Sequence, residues 1–296
     1  MKNYERLKML EYPKGIIDVV IDTDAATEVD DPFAIALALL SPERFNIKGI
    51  YAAPFAMNEK TLDPAVGMEM SYQEIWKIIR LSRADFSSVY RGAVSFGAGG
   101  KSEASEHLAS LCMKYSKERP LYVIGLGAST NIANAIIKYP EIKEKMVIIW
   151  LAGNDFGSTP NVYNIYQDVY SAKVLFDSGV PLIHVPCNGV TSHLTTSIPE
   201  LENCIGNKNE LCDYLVRIVK EYSDNSWGWE KQIWDVGPVA FLLKEEYGEC
   251  EITTSPIISD SLTWSRDYRR HLIKNVKVIH RNQVFRELFL KLASVK

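Results

Sequence analysis

The densest chemistry in the chain is the segment Asp22-Thr23-Asp24-Ala25-Ala26-Thr27-Glu28-Val29-Asp30-Asp31. Four aspartates and one glutamate fall within ten residues. They follow directly on Ile16-Ile17-Asp18-Val19-Val20-Ile21, a β-branched run that reads as a strand. Carboxylates that close repel one another, and burial disfavours their charged forms. A cation resolves the conflict, and hard oxygen ligands suit Ca²⁺ or Mg²⁺. The bland alternative is a solvated acidic loop with Asp31 as a helix cap. Its weakness is position, because open α/β sheets do their chemistry at the carboxyl ends of strands.

The elements that must position this loop form a repeated β-then-α pattern. Asp31-Pro32 predicts an N-cap followed by proline at the first helical position, opening a helix through Leu40. Phe45 to Ala53 reads as a second strand, and 69–81 and 105–115 as helices. Continuous apolar runs at 121–124 and 146–151 predict strands buried on both faces. Helices are predicted over 131–139 and 168–178, the latter capped by Gly179, then a strand over 181–185. The rest predicts helices at 209–222 and 235–245, a strand near 274–280 and a helix from Gln283 to Leu292. This predicts a mainly parallel open sheet with helices on both faces and a Rossmann-like core. No linker-like tract interrupts it, so one domain over residues 1–296 is expected.

Composition narrows the partners. The 296 residues carry 33 basic and 37 acidic side chains, a net charge of −4. A weakly acidic chain without a basic block is a poor binder of nucleic acid or of membrane surfaces. No apolar run approaches the roughly 18 residues that span a bilayer, and the charged N-terminus does not read as a signal peptide. The five cysteines are odd in number and lack CxxC spacing, which predicts reduced thiols. A cytoplasmic location is the default expectation.

Three readings of the acidic loop compete. A calcium EF-hand needs glycine at its sixth position and glutamate at its twelfth, whereas counting from Asp22 gives Thr27 and Phe33. A Mg²⁺-dependent phosphatase of the haloacid-dehalogenase type would use Asp22 as nucleophile and Asp24 as acid. That pattern favours Thr or Val where this chain has Ala26, and it leaves Asp30 and Asp31 idle. A phosphate-cradling glycine loop is excluded, since the segment holds no glycine.

The strand followed by Asp-x-Asp and then Asp-Asp-x-x-Ala resembles the nucleoside hydrolases, the inosine-uridine-preferring N-ribohydrolase family. The spacing between the second and third aspartates is five residues here, Ala25 to Val29, against the usual three. Three further segments resemble the family in the same order. These are Gly127-Ala128-Ser129-Thr130-Asn131-Ile132-Ala133, Trp150-Leu151-Ala152-Gly153 with Tyr163-Asn164-Ile165 and Asp168, and Ile233-Trp234-Asp235. Together they span about residues 16–245.

The resemblance implies a Ca²⁺-dependent N-glycosyl hydrolase acting on small nucleosides, with a place in nucleoside salvage and assembly as a homodimer or homotetramer. It assigns metal binding to Asp24, Asp31, Asp235 and the backbone carbonyl of Leu126. It assigns substrate binding to Asp30 and Asn164, and also to Asn58 and Asn154. Asp24 would be the general base. Two positions depart from the family: Val162 stands where it has a glutamate, and Trp234 where it has a histidine. The first removes a sugar hydrogen bond, and the second removes a candidate acid for a purine leaving group. Trp234 would offer an indole face to a base instead. These departures also keep open a non-catalytic nucleoside-binding homologue. Elsewhere, His184 reads as core, His193 as structural, and His107 and Arg266 to Arg270 as solvated. Trp227 and Trp229 read equally as pocket or packing residues.

Overall fold

The computed structural model describes residues 1–223 and 227–296. Among these, the central sheet has strands β1 (Ile17–Thr23), β2 (Phe45–Ala52), β3 (Val89–Arg91), β4 (Leu121–Gly125), β5 (Met146–Leu151), β6 (Leu182–Val185), β7 (Gly248–Thr254) and β8 (Leu272–Ile279). Their spatial order is β3-β2-β1-β4-β5-β6-β8-β7. Every neighbouring pair is parallel except the outer β8–β7 pair. The chain therefore runs outward from β1 to β3, then crosses back to lay β4 on the other side of β1. At that reversal the connections leave in opposite directions and open a crevice at the strand ends. Asp24 lies one residue past β1, and Leu126 one residue past β4.

Two apolar layers clamp the sheet, and the strand period of two divides the side chains between them. On β5, Val147, Ile149 and Leu151 enter one core, while Met146, Ile148 and Trp150 enter the other. The helices Asp31–Leu39, Val236–Leu243 and Arg281–Ala293 cover the first face. The helices Glu103–Cys112, Thr130–Lys138 and Val169–Asp177 cover the second. Burial on both faces is why these strands read as unbroken apolar runs.

The main departures from the sequence reading lie at the edges. β7 reads Gly-Glu-Cys-Glu-Ile-Thr-Thr and is mostly exposed, so it carries no apolar signal. β3 has only three residues. Asp31 is not the helix cap: Asp30 holds the N-cap position, with Asp31 at the first helical position and Pro32 after it. Neither carboxylate caps the helix. Asp31 instead accepts a hydrogen bond from the Thr23 hydroxyl at the end of β1. His107 is half-buried rather than solvated, 2.9 Å from the Tyr51 hydroxyl and stacked on Tyr90 at 4.0 Å. His184 is core, set between the Asn275 side chain and the Ala152 carbonyl.

Candidate active site

The crevice between β1 and β4 holds a cavity of about 250 Å³. Its floor is made of buried groups: Asp24, Asp30, Asp31, Leu126, Asn164 and Asp235. These come from four separate stretches, brought together by the ends of β1 and β4, the one-turn helix Tyr163–Tyr166 and the start of the helix Val236–Leu243. Asp22 is not part of this wall. Its carboxylate accepts a hydrogen bond from Asn131 Nδ2 at 2.8 Å, and burial pushes its pKa up to about 7. Asp22 thus serves to tie β1 to the Thr130–Lys138 helix. The remainder of the Gly-x-x-Thr-Asn turn is structural in the same way. Asn131 accepts from the Ala93 amide at 2.7 Å, and Thr130 donates to the Asp168 cap at 2.7 Å.

The floor is electrostatically frustrated. Asp30, Asp31 and Asp235 each offer an oxygen, and these oxygens lie within 4.8 Å of one another. Burial, then Asp30, pushes the Asp31 carboxyl up to about 7. Burial and Asp31 raise Asp24 well above the usual carboxylate range, and burial and Asp30 do the same to Asp235. Asp235 Oδ1 is buried with no hydrogen-bond partner among the described residues. An unpaired buried carboxylate oxygen beside two like charges is costly as protein alone. Hard oxygen donors in this arrangement fit a divalent cation. The trio includes Asp30, which the sequence reading assigned to substrate. Asp24 stands beside the trio on the same wall, its Oδ2 accepting from the Thr27 hydroxyl at 2.9 Å.

The Leu126 carbonyl faces the same floor. It accepts from Asn164 Nδ2, which also donates to the Leu151 carbonyl at 2.9 Å. A carbonyl oxygen has two lone pairs, so Leu126 keeps one acceptor position. Asn164 therefore bridges the ends of β4 and β5 from its one-turn helix, Tyr163–Tyr166.

Gly127 follows Leu126 and is required for close approach. A Cβ placed there would sit 2.7 Å from Asp24 Oδ1. The backbone cannot retreat easily, because Trp150 Nε1 holds the Gly127 carbonyl at 2.9 Å. Gly127→Ala is expected to displace the Asp24 carboxylate while leaving the sheet intact. Turnover should fall by about 10²-fold or more, the scale of a misplaced catalytic group, with far-ultraviolet circular dichroism unchanged. An alanine variant of near wild-type activity would remove Asp24 from the chemistry.

The mouth of the cavity is less buried: Glu28, Val162, Tyr163, Cys187, Asn188 and Trp234. Trp234 lies there. Asn58 and Asn154 stand one contact back. Asn58 donates to the Tyr163 hydroxyl at 3.0 Å, and Asn154 accepts from the Asn188 amide at 3.0 Å. Tyr163 itself donates to the Ala56 carbonyl at 2.6 Å. Burial pushes the Cys187 thiol up to about 12, so it stays neutral. Cys187 and Asn188 were overlooked in the sequence, although they directly follow the strand at 182–185 and its Pro186. Glu28 was visible in the acidic loop but had no role. The structure pairs it with Lys231 Nζ at 2.6 Å, a buried lysine 203 residues away.

The family model described as inosine-uridine preferring nucleoside hydrolase matches residues 19–284. The chain is 28% identical over 270 residues to the pyrimidine-specific ribonucleoside hydrolase RihA of Escherichia coli O81 (strain ED1a), covering 78% of this chain and 80% of that one. It is 26% identical over 268 residues to the RihA of Salmonella paratyphi A (strain ATCC 9150 / SARB42), with the same coverage of 78% and 80%. Among solved structures, a plant nucleoside hydrolase, PpNRh1, superposes with a TM-score of 0.75 at 18% identity, covering 94% of this chain and 99% of that one. The inosine-uridine preferring nucleoside hydrolase from Bacillus anthracis superposes with a TM-score of 0.74 at 15% identity, covering 95% and 100%.

Proposed function

The chain belongs to the inosine-uridine preferring nucleoside hydrolase family, a family of N-glycosyl hydrolases, and we propose that it cleaves the N-glycosidic bond of ribonucleosides with Ca²⁺ as cofactor. The observation that carries this reading is the convergence of Asp24, Asp30, Asp31 and Asp235 on one buried wall at the strand-order reversal. Asp24, Asp31, Asp235 and the Leu126 carbonyl would hold the cation, with Asp30 adjoining them. A cation held by these residues would offset their charge and would supply Lewis-acid activation of a water.

The protein's own groups then divide the work. Thr27 fixes one oxygen of Asp24, and Gly127 leaves room for the other. Asp24 takes a proton from water as its oxygen bonds to C1′ of the sugar. The C1′–N bond breaks, and its electron pair leaves on the base, which takes a proton from solvent; Asp24 later returns its own proton to solvent. Positive charge develops on the sugar as in other glycosyl hydrolyses. The floor carboxylates stabilise that charge at no reorganisation cost, because they are already fixed. Asp30 and the Asn164 Oδ1 would accept from the ribose hydroxyls, both Asn164 Nδ2 protons being committed to the Leu126 and Leu151 carbonyls.

The test is reducing-sugar release from a panel of purine and pyrimidine ribonucleosides with added Ca²⁺. Release with any member supports the reading and identifies the leaving group. Binding without release would favour the non-catalytic homologue that Val162 and Trp234 leave open. Release of phosphate from a phosphoester is not expected, since Asp22 does not line the cavity.

A further inference from the structure

On the proposed function, a nucleoside seated with its sugar diol on the carboxylate floor would turn its base toward the mouth. The mouth residues Val162, Trp234 and Cys187 offer shape, faces and a neutral thiol. The Tyr163 proton is already committed to Ala56. Glu28 is the charged group of this rim. Its Oε2 is held by Lys231 Nζ at 2.6 Å, and no donor among the described residues reaches its Oε1.

Lys231 is an unusual holder. Its side chain is 4% exposed, while that of Glu28 is 39% exposed. A lysine this buried needs compensation. It finds that in Glu28, in the Gln232 carbonyl at 2.7 Å, and in the ring of Tyr222 at 5.3 Å. The lysine is thus fixed from behind: Glu28 lines the substrate cavity and also the neighbouring one beside Tyr222, whereas Lys231 lines neither. The pair also bridges the acidic loop and the segment that leads into Trp234 and Asp235. The carboxylate is therefore pinned relative to both walls. Glu28 and Cys187, which follows β6, line the same cavity.

Resting on the proposed function, we propose that Glu28, pinned by Lys231, reads the leaving base by accepting a hydrogen bond from a ring N–H or exocyclic N–H₂ on its outer edge. A carboxylate accepts and never donates, so it selects bases that present a donor there. Blocking that donor with a methyl group leaves the carboxylate oxygen facing carbon, without its partner.

The experiment compares kcat/KM for uridine against 3-methyluridine, and for inosine against 1-methylinosine. The wild type is expected to favour the unblocked nucleoside of its turned-over pair by about 10- to 100-fold, the scale of one charge-assisted hydrogen bond. In Glu28→Ala that ratio should fall to within about threefold of unity, with the KM of the unblocked substrate raised more than its kcat is lowered. Because an unpaired Lys231 can disturb folding, the Glu28→Ala/Lys231→Met double variant is measured alongside, and the same collapse of the ratio is expected. A ratio unchanged in both variants overturns the proposal. So does a wild type that accepts both members of a pair equally. So does a variant that loses instead its preference for uridine over 5′-deoxyuridine, which would put Glu28 on the sugar. If the wild type hydrolyses nothing, the hydrolase reading fails separately, and the same ratio is read from calorimetric binding of the paired nucleosides. Equal binding there, or no binding, overturns the assignment of Glu28.

Discussion

Asp24→Ala is expected to lower kcat by more than roughly 10⁴-fold, beyond the usual range for removing a general base alone. Two losses coincide in this one side chain. The first is the base itself, whose Oδ2 is oriented by Thr27 at 2.9 Å. The second is a carboxylate on the floor proposed to bind the cation. The expected signature separates this from misfolding. Asp24 is buried beside Asp31, and like charges that close oppose folding. Its removal should therefore leave the metal-free protein at least as thermally stable as the wild type. Reducing-sugar release and a thermal melt in chelator, run on the same preparation, check both halves. An alanine variant within tenfold of wild-type turnover would require another base. A variant that is both inactive and markedly less stable would mean that Asp24 holds the loop rather than the water.

The parts of this site that were legible in the sequence share a physical cause. Asp24, Asp30 and Asp31 follow the β-branched run 16–21, interrupted only by Asp18, and a strand buried on both faces ends where the sheet opens to solvent. That rule needs only local pattern, so it found the first loop, whereas the Leu126 turn came only from the family resemblance. It predicts Cys187 and Asn188 equally well, because they follow the strand 182–185. They were passed over for want of a charged side chain. The Glu28–Lys231 pair was beyond local reading, because its partners are 203 residues apart and nothing near Lys231 marks it as buried. β7 was lost for the opposite reason. An exposed edge strand with charged residues has no hydrophobic period to detect. The cap position was misread because Asp-Pro is a common helix start. Here the tertiary demand of the site, expressed as the Thr23–Asp31 hydrogen bond, overrode the local preference.

The gain in melting temperature on adding a divalent cation to chelator-treated protein is expected to grow as pH rises from 6.5 to 8. The sign follows from the direction of the shifts. Burial and neighbouring carboxylates push Asp31 up to about 7 and raise Asp24 and Asp235 well above the ordinary 3.8. In the metal-free folded state these groups hold protons that the unfolded chain has already lost. Their contribution to stability is present at low pH and is lost as pH rises through the folded values. A cation takes the place of the protons, so the loaded protein escapes that loss. Each proton displaced steepens the difference by about 1.4 kcal/mol per pH unit. Because the groups share one site, one to two protons in total is the reasonable expectation, which corresponds to several degrees over this range. The comparison is made between loaded and stripped protein at each pH, so that terms common to both cancel. One such term is burial of His184, which depresses it to about 4 from 6.5 and penalises acidification below that value. Calorimetry of cation binding in two buffers of different ionisation enthalpy counts the released protons directly. A gain that does not change with pH, and no proton release, would mean that the floor carboxylates are already ionised before the cation arrives. Their frustration would then have to be relieved by groups other than the cation.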